Sequence, residues 1–430
     1  MTITSRQTHS PVSQTRRLII GSLPFILPLV FLLVAFSSTR AQTFTVLHRF
    51  TGNGDGEAPM AGLTQDPSGN LYGTAMNGGA FDMGIVFQIP PGAKEGVFQS
   101  FWGGAGMLPE APLIQDGTGN LYGTTYDGGT LEGGACLHGC GTVFKLDSAG
   151  KETVLYAFTG GTDGGNPDAG LVRDKEGNLY GITTGGGSSN CPLEIPGCGV
   201  VFKLDTSGKE TVLHAFTASN GDGGLPNGGL VQDGAGNLYG VTETTCGWDC
   251  TPGTIFRVSP AGKETILHYF NEEDGAVPSG TLVLDSEGNL YGEAEWGGNL
   301  SSCSPGEYRG CGVVFKLDTA GKETVLYAFT SSEGMHPAGG LVRDKAGNLY
   351  GATLGSLVNE APYGTIFRLA ENGQLTTLHT FTGASDGAVP NGGLIIGKSG
   401  ALYGTTQAGG DVSCSTQQWA GCGVVFKLTP

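Results

Sequence analysis

The chain has 430 residues, among them 78 glycines, with 9% aromatic and only 14% charged residues. Its apolar residues fall in short runs bounded by Gly, Asp, Asn and Pro, a pattern that excludes coiled coil and disorder and defines an all-β class. The formal charge is −17 without any basic cluster, which excludes nucleic acid and anionic membrane surfaces as partners, because phosphate binding needs clustered Lys and Arg.

The first 41 residues hold Arg6, Arg16, Arg17 and Arg40 and no carboxylate, so the remainder carries 18 basic against 39 acidic residues, a formal charge of −21. Arg16-Arg17 precede an apolar run from Leu18 to Phe36, and Thr39-Arg40-Ala41 presents small residues where a signal peptidase reads. This predicts an export signal over residues 1–41 and a single domain over 42–430. The alternative is an uncleaved anchor, since the run approaches the ~20 residues of a bilayer span, although Pro24 and Pro28 interrupt it. The chain ends at Pro430, directly after a strand-like segment, and no C-terminal anchor is expected.

The mature sequence is organised by Leu-Tyr-Gly, centred on Tyr72, Tyr122, Tyr180, Tyr239, Tyr291, Tyr350 and Tyr403 at spacings of 50 to 59 residues. Each copy sits in a unit of four short β-type runs, A to D, as in Gly170–Asp174, Asn178–Thr183, Gly199–Leu204 and Glu210–Phe216. Between A and B, the pattern Asp174-x-x-Gly177-Asn178 predicts a hairpin in which Asp caps the turn and Gly supplies positive φ. Strand C carries Phe87, Phe144, Phe202, Phe256, Phe315, Phe367 or Phe426, and strand D closes on Phe50, Phe101, Phe158, Phe216, Phe270, Phe329 or Phe381. Seven four-stranded meanders with seven matching aromatics predict a seven-bladed β-propeller of antiparallel blades. A solenoid would need atypical capping repeats, and none is present. The mature chain opens with a lone D-type strand, Phe44–Phe50, and ends on a C-type strand, Gly423–Leu428, so the first should pair with the last and close the ring.

These repeats resemble the GloVer (Gloeo_Verruco) tandem repeats of exported bacterial proteins, over essentially the whole mature chain. The resemblance implies a secreted, periplasmic or surface-located propeller-like protein and supplies no activity or catalytic residues.

Ten cysteines fall in pairs between strands B and C of one blade: Cys136 with Cys140, Cys191 with Cys198, Cys246 with Cys250, Cys303 with Cys311 and Cys414 with Cys422. With export expected, five disulfides within loops are the simple reading, each contributing about 2 to 2.6 kcal/mol in the chain-entropy model. A metal centre is not expected there, since each loop offers only two ligands. His48, His214, His268 and His379 occupy the strand D position that holds Gln99, Tyr156 and Tyr327 in other blades, a repeated site that reads as blade construction. The acidic turns Asp55-Gly56, Asp163-Gly164, Asp222-Gly223, Asp274-Gly275, Glu333-Gly334 and Asp386-Gly387 read as turn chemistry. An ion held by carboxylate and carbonyl oxygens in each blade is the alternative. No cofactor is expected.

The D-to-A and B-to-C loops share one face, the top, where long loops on a rigid scaffold carry recognition. Trp102, Trp248, Trp296 and Trp419 lie in or beside these loops and are the candidate ligand-binding residues, as stacking planes for sugars or anchors for a protein. The bland alternative is that each covers a disulfide or fills a blade gap. Glu293 stands where other blades place Thr74, Thr124, Ile182, Val241, Ala352 and Thr405, with Glu295 on the same strand and Glu243 from the preceding blade. This makes Glu293, Glu295 and Glu243 candidate catalytic carboxylates for glycosidic or lyase chemistry. The expected function is a monomeric binding or interaction module for carbohydrate or protein. A polysaccharide-active enzyme, glycoside hydrolase or lyase, is the alternative.

Overall fold

The computed structural model describes residues 42–130, 135–189, 191–192, 197–219, 221–244, 253–301, 303, 310–355, 363–414 and 420–430. The export segment expected over 1–41, the candidate residues Trp248 and Trp419, and the cysteines Cys246 and Cys250 lie outside the described residues.

The chain forms seven four-stranded antiparallel sheets, the blades of a propeller. Blade three is typical: inner strand Val172–Arg173, then Leu179–Thr183, Val200–Leu204 and outer strand Glu210–Ala215. The Asp-x-x-Gly-Asn hairpin forms as its residues require. In blade three the Asn178 amide and side chain donate to Asp174 at 2.8 and 2.7 Å, and the Tyr180 hydroxyl donates to Asp174 Oδ2 at 2.9 Å. The tyrosine of Leu-Tyr-Gly thus ties strand B to the turn that precedes it. Its glycine has a different task. A Cβ at Gly181 would lie 2.6 Å from the Phe202 ring, and the same approach recurs in every blade. Gly181→Ala should therefore destabilise the protein by about 1–3 kcal/mol through overpacking, read as a lowered denaturant midpoint, whereas Gly234→Ala, in open space, serves as the neutral control.

Between blades, the closing Phe of one strand D packs edge-on against the strand C Phe of the next. Phe101–Phe144, Phe158–Phe202, Phe216–Phe256, Phe270–Phe315 and Phe329–Phe367 have ring centroids 5.0 to 5.1 Å apart. The ring closes as the sequence predicts. Strand Thr43–Arg49 pairs with Val424–Thr429 as the outer strand of blade seven, and Phe50 meets Phe87 of blade one at 5.2 Å. The first strand thereby supplies both the edge of the last blade and the aromatic plug of the first.

Four of the five expected disulfides are present, Cys136–Cys140, Cys191–Cys198, Cys303–Cys311 and Cys414–Cys422. Each holds a B-to-C loop on the top face. The fifth, expected in blade four between Cys246 and Cys250, is not among them, because both Cys246 and Cys250 fall outside the described residues.

Candidate functional site

Inner strands begin at the top face, each with a proline near its entry: Pro59, Pro109, Pro167 and Pro390 precede their strands, Pro337 opens Pro337–Arg343, and Pro226 and Pro278 are third in Gly224–Gln232 and Ala276–Leu284. The residue before each proline is left-handed although none is glycine. Ala58, Leu108, Asn166, Leu225, Val277, His336 and Val389 have φ between 54° and 59°. A β-branched residue in this region carries strain of order 1 kcal/mol or more, so the surrounding structure fixes this turn firmly. The residue after each proline, in turn, lines one cavity. Met60, Glu110, Asp168, Asn227, Ser279, Ala338 and Asn391 come from all seven blades, which places the cavity of about 320 Å³ on the ring axis.

This rim is the least symmetric part of the molecule. A second row, four residues after each Leu-Tyr-Gly tyrosine, adds Tyr126, Glu243, Glu295 and Leu354, of which Glu295 and Leu354 line the cavity. Blades two to five therefore contribute Glu110, Asp168, Glu243 and Glu295, whereas blades six and one contribute Ala338, Leu354 and Met60. The result is an acidic wall facing an apolar one, without a basic side chain among the lining residues.

Burial and mutual repulsion raise the carboxyl pKa values. Glu110 is pushed up to about 7 by burial and then by Asp127. Asp168 reaches about 7 through burial, then Glu110, with Glu243 contributing less. Glu295 reaches about 7 through burial and then Glu243. Glu243 is also raised by burial, partly offset by the Asn227 amide, which donates to its Oε1 at 2.6 Å. Burial, then Glu110, Asp168 and Asp127, raises the Tyr126 hydroxyl. Two polar atoms near this wall, Asp168 Oδ1 and Ser279 Oγ, are buried with no hydrogen-bond partner among the described residues.

Of the carboxylates read from sequence, Glu243 and Glu295 meet at this wall, while Glu293 lies behind it. Its side chain is wholly buried and its Oε1 accepts from the Gly340 amide of blade six at 2.7 Å. Thr74, Thr124 and Thr405, at the same position, donate to carbonyls of their neighbouring blades. Glu293 thus performs a blade-linking task with a different group, and burial pushes its pKa up to about 8. Trp102 is 55% exposed, just after the outer strand of blade one and away from the cavity lining. Trp296 is partly buried against His336, with ring centroids 4.1 Å apart.

Glu110 and Asp168 were not singled out by sequence reasoning. Their signal is the residue after the proline at each inner-strand entry, which changes from blade to blade while the proline repeats.

The fold defines a class, the seven-bladed β-propeller with its variable residues gathered at the top of the axis. The sequence signature of the Gloeobacter/Verrucomicrobia repeat matches residues 34–250, 128–304 and 300–430, and the chain belongs to that family. No curated protein sequence matches it significantly. Among solved structures, it is similar to virginiamycin B lyase from Staphylococcus aureus, at 14% identity and a TM-score of 0.56, covering 90% of this chain and 99% of that one. An extracellular domain assigned to a hybrid two-component system of B. thetaiotaomicron matches at 14% identity and a TM-score of 0.51, covering 90% of this chain and 41% of that one. A protein of Bacteroides uniformis assigned as a 6-phosphogluconolactonase matches at 16% identity and a TM-score of 0.50, covering 84% and 98%. These likenesses define the fold alone.

Proposed function

We propose that this is an exported binding module that takes a hydroxyl-rich, carbohydrate-type ligand at the top of the propeller axis. The observation that carries this reading is the division of the rim into an acidic wall from blades two to five and an apolar wall of Ala338, Leu354 and Met60. Carboxylates accept hydrogen bonds from neighbouring hydroxyls, Asn227, Asn391 and Ser279 add donors and acceptors, and the apolar wall packs against the C–H face of a sugar. Export agrees with the four disulfides, which belong to oxidising compartments.

A specific observation favours a second reading, catalysis. Carboxyl groups with pKa values near 7, as at Glu110, Asp168 and Glu295, are matched to general acid–base work at neutral pH, and a lyase and a lactonase-assigned protein share this fold. A glycan panel, assayed for both retention and turnover, separates the two. Asp168→Asn and Glu295→Gln should each weaken retention of the recognised glycan roughly 10- to 150-fold, as loss of one charged hydrogen bond of about 1.5–3 kcal/mol predicts, with the substrate recovered intact. Product released by the intact protein and abolished in these variants would assign an enzyme. If neither variant changes retention or turnover, the rim is not the functional site. Lys209→Ala, exposed in the turn between strands C and D of blade three, at the end of the blade away from the cavity, is the control.

A further inference from the structure

Blade junctions place a histidine, an aspartate and a glutamate together at three places: between blades seven and one, His48 Nε2 lies 3.4 Å from Asp55 Oδ2 and 3.9 Å from Glu95 Oε2, and at two further junctions all three ligand atoms converge more closely. At the junction of blades three and four, His214 comes from the outer strand, Asp222 from the loop after it and Glu264 from the next outer strand. His214 Nε2 lies 3.1 Å from Asp222 Oδ1 and 3.8 Å from Glu264 Oε1. At the junction of blades four and five, His268, Asp274 and Glu323 repeat the arrangement, with His268 Nε2 3.3 Å from Asp274 Oδ2. In both groups the ligand atoms all lie within 4.8 Å of one another. Bonds of about 2.1 Å to a tetrahedral ion separate its ligand atoms by about 3.4 Å, within the 3.1 to 3.8 Å that separate each histidine from its aspartate and His214 from Glu264.

Two further observations point to an ion. Glu264 Oε1, Glu323 Oε1 and His268 Nε2 are buried and have no hydrogen-bond partner among the described residues, as is true of the same oxygen in Glu95, Glu152 and Glu210; in the two groups, however, histidine and aspartate ligand atoms lie within 4.8 Å of a glutamate oxygen. The aspartates are also oriented from behind, as metal-binding carboxylates are. Asp222 Oδ2 accepts from the Thr217 amide and hydroxyl at 2.8 and 2.7 Å, which leaves Oδ1 facing the histidine. Asp274 Oδ1 accepts from the Asn271 backbone amide at 2.8 Å and its Oδ2 from the Asn271 side chain at 2.6 Å, the latter oxygen also facing His268.

Other junctions show the protein's alternatives. Between blades one and two, Gln99 Nε2 donates to Glu152 at 2.8 Å, joining the same strands with an amide. Between blades six and seven, Phe44 stacks on His379 at 3.8 Å where a Glu would stand.

We propose that His214, Asp222 and Glu264 form one binding site for a divalent transition-metal ion and that His268, Asp274 and Glu323 form an equivalent second one, zinc being the probe, each tying adjacent blades together at the rim. One imidazole and two carboxylates form a borderline donor set suited to such ions, and these partly exposed side chains leave room for water as the remaining ligand. No step of ligand recognition at the axis depends on these sites.

The test is zinc stoichiometry by equilibrium dialysis and elemental analysis on the chelator-stripped, intact secreted protein, at micromolar free zinc and neutral pH. His214→Gln and His268→Gln should each lose one bound equivalent, and the double variant two. Gln occurs naturally at this position as Gln99, so these variants should fold, and circular dichroism verifies it. Glu264→Gln should reproduce the loss at the first site, while Gln99→Ala should bind as wild type. Zinc should raise the melting temperature of the wild type and not of the double variant. Absence of zinc binding at micromolar concentration, with Asp222 and Glu264 merely sharing a proton beside His214, overturns the proposal. So does zinc retained undiminished in the double variant.

Discussion

A chain beginning at Thr51 should melt at least 10 °C below one beginning at Gln42, or fail to fold, although the deleted stretch takes no part in lining the axial cavity. The strand Thr43–Arg49 pairs along Val424–Thr429, and Phe50 is fully buried against Phe87 in blade one. Its removal exposes one edge of blade seven and leaves a hole at the seam, where truncating a buried Phe alone costs about 3–5 kcal/mol. Phe44 adds further contacts, stacking on His379 and Phe426. The measurement is thermal unfolding by circular dichroism of both proteins. Equal melting temperatures would mean that the ring is held without its seam. The single substitution Phe50→Ala, which leaves the strand in place, separates the loss of the aromatic plug from the loss of edge pairing.

Stability should be greatest near pH 5 and fall toward pH 8, by roughly 5 °C or more in melting temperature for a protein of this size. The sign follows from the buried carboxyls. Burial first, and neighbouring carboxylates second, push Glu95, Glu210, Glu110, Asp168 and Glu295 up to about 7, and burial lifts Glu293 to about 8. In the unfolded chain such groups lose their protons near pH 4. Between about 4 and 8 the folded state therefore holds more protons, so stability falls as pH rises through that window, most steeply up to about 7. His214, raised by Asp222 and Glu264 against the opposing effect of burial, acts in the same direction. The lowered His48, His336 and His379 oppose it, since burial keeps them neutral when folded. Below pH 4 the turn aspartates take over. Asp174, Asp233, Asp285 and Asp344 are held low by hydrogen bonds from the following Asn, despite some burial, and that stability is lost as they protonate. Calorimetry from pH 4 to 8 with a chelator present checks the profile. A melting temperature that rises toward pH 8 would show that the buried carboxyls are ionised at no cost.

What repeats in this chain was legible from sequence, and what does not repeat was legible only in part. Leu-Tyr-Gly, the two phenylalanines and the cysteine pairs appear in blade after blade, so their spacing alone carried the blade count, the strand order, the ring closure and the partners in the four disulfides described. Single departures from the repeat are harder, because sequence marks that a residue differs without showing where it points. Glu293 departs from its repeat and yet links blades, accepting from Gly340 where Thr124 donates to Ala169. Glu110 and Asp168 sit in a loop position that varies in every blade, so no one of them stands out. Only the axis, where seven such positions converge, makes them neighbours.

The left-handed residue and proline that open each inner strand have a consequence for diversification. They fix the backbone identically seven times and hand the axis one side chain per blade, Met60, Glu110, Asp168, Asn227, Ser279, Ala338 and Asn391. The packed aromatics that hold the blades together lie elsewhere. This rim is therefore an alphabet of seven letters on an invariant page. Letters can be rewritten without touching the aromatics between blades, so relatives built on the same repeat can differ in what they recognise while keeping the same scaffold. A combinatorial library confined to these seven positions would sample new specificities from a single scaffold.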